Sequence, residues 1–143
     1  MRLLIFHVDS FTCTITEKGR SPLVEEPTGP SSHIDNGLLV LTSVEAEDAP
    51  GAPRVVAEAT TEITGLAGQL NVDEVMLLPF AHLFGELASP RDAVAIIDGV
   101  TAGLRAAGIR VERPPFGWFH TWDLQAKGHP LSRVARTIRP VSS

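Results

Sequence analysis

Residues 3–8, Leu-Leu-Ile-Phe-His-Val, are continuously apolar apart from His7, and a run of that length and composition predicts a strand covered on both faces. Residues 12–16 continue in β-favouring residues with a period near two, so the chain is expected to open as an antiparallel hairpin of 3–8 against 12–16. A strand covered twice needs further elements, and 143 residues, 43% of them hydrophobic, can bury one core but not two. The expectation is a single globular domain over residues 1–143.

Residues 17–37 hold Gly19, Pro22, Pro27, Gly29, Pro30 and Gly37 and predict a long loop. Residues 38–44 read as a second buried strand and 45–53 as a connection. A helix over 54–70 follows from Val56, Ala59, Ile63, Leu66, Ala67 and Leu70, which place one apolar stripe on one face. After a strand over 74–78, the next helix carries its own punctuation: Ser89 as N-cap, Pro90 in the first position, Asp92 completing a capping-box pattern, and Gly108 at the C-terminal cap. Its buried stripe is Ala93, Ile97, Val100 and Leu104. Strands are predicted over 109–113 and 119–126, a tight connection over 114–117 and a short helix over 130–136. Helices interspersed among strands make an α/β domain, a mixed, twisted β-sheet covered by helices.

No apolar run reaches the roughly 18 residues of a membrane span, and the opening lacks a signal-peptide pattern, so no membrane partner is expected and the localisation read from the chain is cytoplasmic. Cys13 has no second cysteine to pair with and reads as a small buried apolar residue. The net charge of −5 hides an asymmetry: residues 1–75 carry four Lys/Arg against twelve Asp/Glu, and residues 76–143 carry eight against five. Lys127, Arg133, Arg136 and Arg139 follow one another with no acid between them, which suits either an RNA-facing end or a solvated basic face.

Generic enzyme motifs are absent: no phosphate-cradling glycine loop, no nucleophile-elbow serine, no histidine pair at metal-ligand spacing. His7, His33, His82, His120 and His129 are scattered, so no metal is expected. A hydrogen bond between His7 and Asp9 on one strand face is the plain reading of that pair.

Three segments, RLLIFHVDS (2–10), LPFAHLFGELASP (78–90) and PPFGWFHTWDLQAKGHPLSRVARTIRP (114–140), with TSVEAED (42–48) more weakly, resemble the editing domain of archaeal threonyl-tRNA synthetases. The most specific pieces are PFAHL, PFG and KGHPL, each of which puts Pro or Gly where the backbone is held in an unusual path. The resemblance implies a D-aminoacyl-tRNA deacylase-like fold and an aminoacyl-tRNA deacylase that removes serine from seryl-tRNA(Thr) while sparing threonyl-tRNA(Thr). It implies no cofactor for editing. Its partners would be the tRNA(Thr) 3′ end, a second copy in a homodimer, and a synthetase catalytic domain in cis or in trans.

The implied site follows residue by residue. The terminal adenosine would lie between PFAHL and PFG, against Val44, Pro79, Phe80, Ala81, Phe116, Gly117, Trp118 and Phe119, with Phe80 and Phe116 edging the cleft and Trp122 read as a core aromatic. His82, His120 and Arg133 are the side-chain candidates for catalysis, beside the main chain of Ala81 and Gly117; Lys127 and Arg136 are candidates for the tRNA backbone. Three positions depart from the family's pattern: His120 where a lysine is usual, Phe119 for a tyrosine, and Arg133 for a glutamate. If side chains acted as acid and base, these changes would predict a dead enzyme or a changed substrate. If backbone dipoles and the RNA's own 2′-hydroxyl carry the reaction, they are tolerable. A noncatalytic tRNA-binding or dimerisation module and a deacylase of changed preference, such as D-aminoacyl-tRNA, are the alternatives.

Overall fold

The computed structural model describes residues 1–83 and 85–139. Six strands and two α-helices run in the order β1 (Arg2–Lys18), β2 (Ser31–Ser43), a 3-10 helix (Ala46–Gly51), α1 (Ala52–Leu70), β3 (Glu74–Pro79), α2 (Pro90–Ala106), β4 (Arg110–Glu112), β5 (Trp118–Ala126) and β6 (Arg133–Thr137). They form one mixed sheet of order β4-β3-β2-β1-β5, with β6 also on β1. Pairings of β1 with β2, β5 and β6 are antiparallel, and β2–β3 and β3–β4 are parallel.

The two parallel connections explain where the helices go. Both step the same way across the sheet, from β2 to β3 through α1 and from β3 to β4 through α2, and right-handed crossovers in one direction put both helices on one face. There α1 buries Val55, Ala59, Ile63, Leu66 and Ala67, and α2 buries Ala93, Ile96, Ile97, Val100, Thr101 and Leu104, over Leu3, Ile5, Leu38, Val40, Val75 and Leu77. The alternate residues Leu39, Leu41, Met76 and Leu78 form a second core with Val8, Phe11, Cys13 and Ile34. This side is closed by the sheet itself. Trp122 of β5 lies 5.8 Å, ring centroid to centroid, from Phe80 at the end of β3, although β2 and β1 separate the two strands. The sheet therefore curls.

The punctuation of α2 is realised except for the capping box: the Ser89 hydroxyl accepts the Asp92 N–H at 3.2 Å, but the Asp92 carboxylate does not return the bond to the Ser89 N–H, and Gly108 takes φ +87° after the last turn. Burial raises the pKa of the Cys13 thiol, which keeps it in its neutral form.

Four expectations are corrected. Residues 3–8 and 12–16 are one strand, not a hairpin, because a register shift between Val8 and Ser10 against β5 absorbs Asp9 without breaking the ladder to β2. The connection predicted over 17–37 is confined to 19–30, since residues 31–37 form the polar first half of β2. The helix predicted over 130–136 is a turn followed by β6, which pairs with Arg2–Phe6; Pro130 reads as a helix start in isolation, but β1 offers it an open edge, and Arg133 and Arg136 are at home on an edge strand. Lastly, the bulge turns Asp9 out to an ion pair with Lys127, and His7, buried, meets His129 instead, Nδ1 to Nε2 at 2.8 Å. His129 Nδ1 accepts the Leu131 N–H, so its Nε2–H donates to His7, whose Nε2–H reaches Asn36 Oδ1 at 3.3 Å. Phe84 of LPFAHLFGELASP and Pro140, which closes the 114–140 segment, lie outside the described residues.

Candidate functional site

The carboxyl ends of parallel strands are where open α/β sheets place ligands, and here β2 and β3 both run out into one cleft of about 680 Å³. Beyond β2 lies Val44 and beyond β3 lie Phe80, Ala81 and His82; the first turns of α2 contribute Pro90, Ala93 and Ile97. The opposite side comes from residues 116–120 of the β4–β5 connection and β5, and from Gly19, Ser21 and Pro22 of the 19–30 connection. All eight substrate-binding candidates, Val44, Pro79, Phe80, Ala81, Phe116, Gly117, Trp118 and Phe119, line this cleft, as do His82 and His120. Arg133 does not line it and stands exposed on β6 opposite Phe6.

Backbone bonds hold the two motifs in place. The Phe80 N–H donates to Thr42 O at 2.9 Å, and the buried Ser43 hydroxyl donates to Phe80 O, so the end of β2 fixes both main-chain groups of Phe80. Gly117 adopts φ +94°, a conformation open chiefly to glycine, and its carbonyl accepts the Gly19 N–H at 2.8 Å. Among the described residues no hydrogen bond engages the main-chain N–H of Ala81 or Gly117. Both residues line the mostly apolar cleft, so two main-chain donors are available there, the kind of group that stabilises a developing oxyanion.

His120 is set up as a donor. Its Nδ1 accepts the Trp122 indole N–H at 2.7 Å, which leaves the ring proton on Nε2. Burial lowers its pKa, outweighing the backbone hydrogen bond that favours the charged form, so the ring is neutral at physiological pH. His82 packs edge-on to Phe80 at 5.3 Å and is exposed.

Trp122 is a correction: it is 39% exposed, lines the cleft and touches Phe11, Phe80 and His120 with its ring. The reading of it as a core aromatic fails because the curl of the sheet turns it towards Phe80. Thr42, Leu87 and Ala88 are further lining residues; they lie inside TSVEAED and LPFAHLFGELASP, but nothing within those segments singled them out as site residues.

The basic stretch is largely neutralised. Lys127 pairs with Asp9, Arg136 with Glu62 at 2.8 Å and Arg139 with Glu47 at 3.5 Å. Among the described residues, the cations without an ion pair or hydrogen bond are Lys18, Arg20, Arg91 and Arg133, and the first three flank the cleft residues Gly19 and Pro90. No group of three or more His, Cys, Asp and Glu comes together as a metal site among the described residues, and no helix there is long and apolar enough to cross a membrane.

Residues 1–138 match the family model described as the archaea-specific editing domain of threonyl-tRNA synthetase. The chain is 36% identical over 140 residues to the threonine–tRNA ligase of Methanoregula boonei, 98% of this chain and 22% of the ligase. It is 38% identical over 141 residues to that of Methanopyrus kandleri, again 98% and 22%, and 38% identical over 141 residues to that of Methanoculleus marisnigri, 98% and 23%. The chain thus spans under a quarter of the length of these ligases.

Proposed function

The chain belongs to the archaea-specific editing domains of threonyl-tRNA synthetase, and on that premise we propose that its cleft takes the aminoacylated 3′-terminal adenosine of tRNA(Thr) and hydrolyses a wrongly attached serine. The observation that carries this reading is the pair of main-chain N–H groups, Ala81 and Gly117, without a partner among the described residues, at a cleft lined by Phe80, Phe116 and Trp122. Stacking on such rings contributes about 1–3 kcal/mol per base. Water adds to the ester carbonyl, the oxyanion is held by main-chain N–H groups, and the bond between the acyl carbon and the ribose oxygen breaks. The proton from water passes by way of the neighbouring 2′-hydroxyl to the leaving ribose oxygen, giving serine and free tRNA. No cofactor enters.

Serine lacks one methyl group of threonine, and a synthetic site separates such neighbours by only about 1–3 kcal/mol. A second pocket too small for the methyl removes the error. His120, neutral with Nε2–H presented, orients substrate or water and does not act as the base. Protein partners on this reading are a second copy of the chain and a synthetase catalytic domain, in cis or in trans, in the cytoplasm.

The test is release of amino acid from seryl- and threonyl-tRNA(Thr), with D-aminoacyl esters alongside. Wild type is expected to release serine selectively, and His120→Ala to keep the selectivity while slowing release by about tenfold or less, the worth of one hydrogen bond. Equal release of both L-esters would sink the proposal, and preference for the D-ester would assign a changed substrate. Salt-sensitive binding without turnover would mean a noncatalytic module.

A second prediction concerns the phosphates behind the adenosine. Because Lys127 and Arg136 are ion-paired and Lys18, Arg20 and Arg91 are not, neutralising Lys18, Arg20 or Arg91 is expected to weaken tRNA binding more than Lys127→Ala or Arg136→Ala. Each such loss should reduce the slope of log affinity against log salt by about one. Equal effects from both sets would refute this assignment.

A further inference from the structure

We propose that Glu25 is a positioning residue for this site: it pins the 19–30 strap to residues 116–118, and the pinned strap is the wall that limits the size of the acyl group the cleft accepts. This rests on the hydrolytic reading above.

Glu25 serves both main-chain groups of Phe116. Its carboxylate accepts the Phe116 N–H at 2.7 Å, and its own N–H donates to Phe116 O at 3.0 Å. The Glu25 carbonyl accepts the Trp118 indole N–H at 2.7 Å. One residue of a Pro/Gly-rich connection thus holds two residues that line the cleft.

The pin has a keystone in Arg113. Its guanidinium, with the side chain only 9% exposed, grips both Glu25 oxygens, Nη2 to Oε2 at 3.1 Å, and reaches Asp98 of α2 at 2.8 Å. Asp98 adjoins Ile97, which also lines the cleft. Three walls, the strap, the 113–118 segment and α2, therefore meet on one partly buried cation. Burial works to raise the Glu25 carboxyl, but the Arg113 and Phe116 hydrogen bonds and the Arg113 charge outweigh it and hold it below the usual glutamate value, so it stays ionised.

The fit between strap and motif leaves no slack. A Cβ on Gly117 would lie 2.9 Å from Leu23 O and 3.1 Å from Val24 Cα, and one on Gly19 would lie 2.7 Å from Gly117 O. Gly19, Ser21 and Pro22 then face the cleft from the strap. A wall in such contact with Gly117 stands beside the acyl carbonyl on this reading, where a single methyl decides between substrates.

The experiment compares wild type, Glu25→Ala and Glu25→Gln in the full chain by two readouts. One is kcat and KM for seryl- and threonyl-tRNA(Thr); the other, independent of turnover, is tryptic cleavage after Lys18 and Arg20. Glu25→Ala is expected to speed cleavage by about tenfold as the strap opens locally, and to cut the seryl-over-threonyl preference by about tenfold, with a raised KM for the seryl ester. Glu25→Gln keeps an acceptor for Phe116 and should fall between the two. Unchanged cleavage in both variants overturns the pin. Faster cleavage with an unchanged substrate preference overturns the wall. Absence of wild-type turnover on both esters overturns the hydrolytic reading, and the specificity role with it, while the cleavage result still decides whether Glu25 holds the strap.

Discussion

Gly117→Ala is expected to lower seryl-tRNA(Thr) hydrolysis by about 100-fold or more, the scale of loss that follows a 1 Å misplacement of catalytic groups. The residue sits at φ +94°, where an L side chain is strained at a cost on the order of 1–3 kcal/mol. Space compounds the strain, since the new methyl would press on the main chain of Leu23 and Val24, at 2.9 Å from Leu23 O and 3.1 Å from Val24 Cα. The Val24 side chain, with Cγ2 also at 3.1 Å, can give way, but the Leu23 and Val24 main-chain atoms cannot without moving the strap. Relief requires either the strap to lift or the 116–118 segment to rotate, and both redirect the Gly117 N–H that the proposed reaction needs. Single-turnover hydrolysis paired with thermal melting separates the two consequences: a fold that survives with lost activity is expected. Activity within about threefold of wild type would show that this donor takes no part.

The legible parts of this molecule are those encoded by local patterns. Helix α2 is announced by Ser89, Pro90 and Gly108, each acting within a turn of its own position as read, whereas Asp92 gives its N–H to Ser89 without its carboxylate returning the second bond of a capping box. The stripe of α1 likewise depends only on spacing, although the helix starts two residues earlier than read, at Ala52, and Val55 rather than Val56 is its first buried position. What escaped depends on partners distant in the chain. Residues 133–137 are a strand because β1, more than a hundred residues away, leaves an edge open beside Arg2–Phe6. Asp9 looks like the break of a hairpin until β5 supplies the bulge that accommodates it. The site shows the same division. PFAHL and PFG stand out because proline and glycine mark unusual backbone, and the cleft gathers around both. Trp122 and Glu25 have no such mark: the first is turned into the cleft by the curl of the sheet, and the second gains its role only where Arg113 meets it, 88 positions along the chain. The departures at Phe119, His120 and Arg133 are also easier to place with the fold in view. None of the three changes the main-chain groups of Ala81 and Gly117, and Arg133 is on another strand altogether.

Asp48→Ala is expected to destabilise the fold by about 3–5 kcal/mol, the cost of stranding one member of a buried ion pair. The Met1 ammonium and the Asp48 side chain are both fully buried, with nitrogen 2.8 Å from each carboxylate oxygen. Ile138 O accepts a further proton of the ammonium at 2.9 Å, and Glu45 lies 3.3 Å away. The second role of Asp48 is structural: it accepts the Glu45 N–H at 2.7 Å and so closes the turn that leads out of β2. Glu45 in turn takes Arg2 Nε at 3.2 Å, and the same guanidinium donates to Leu83 O at 3.1 Å. A chain of charge thus runs from the buried amine to Leu83, the last residue of PFAHL. With a stability change of that size, a drop of about 10 °C or more in melting temperature is expected for a chain of this length. Asp48→Asn separates charge from shape, since it keeps the volume and one acceptor. Comparable losses in both variants would show that the buried charge dominates, whereas a mild Asp48→Asn beside a severe Asp48→Ala would place the stabilisation in the hydrogen bonds and packing. Near-wild-type melting of both would mean that Glu45 and Ile138 suffice to hold the ammonium, contrary to the geometry.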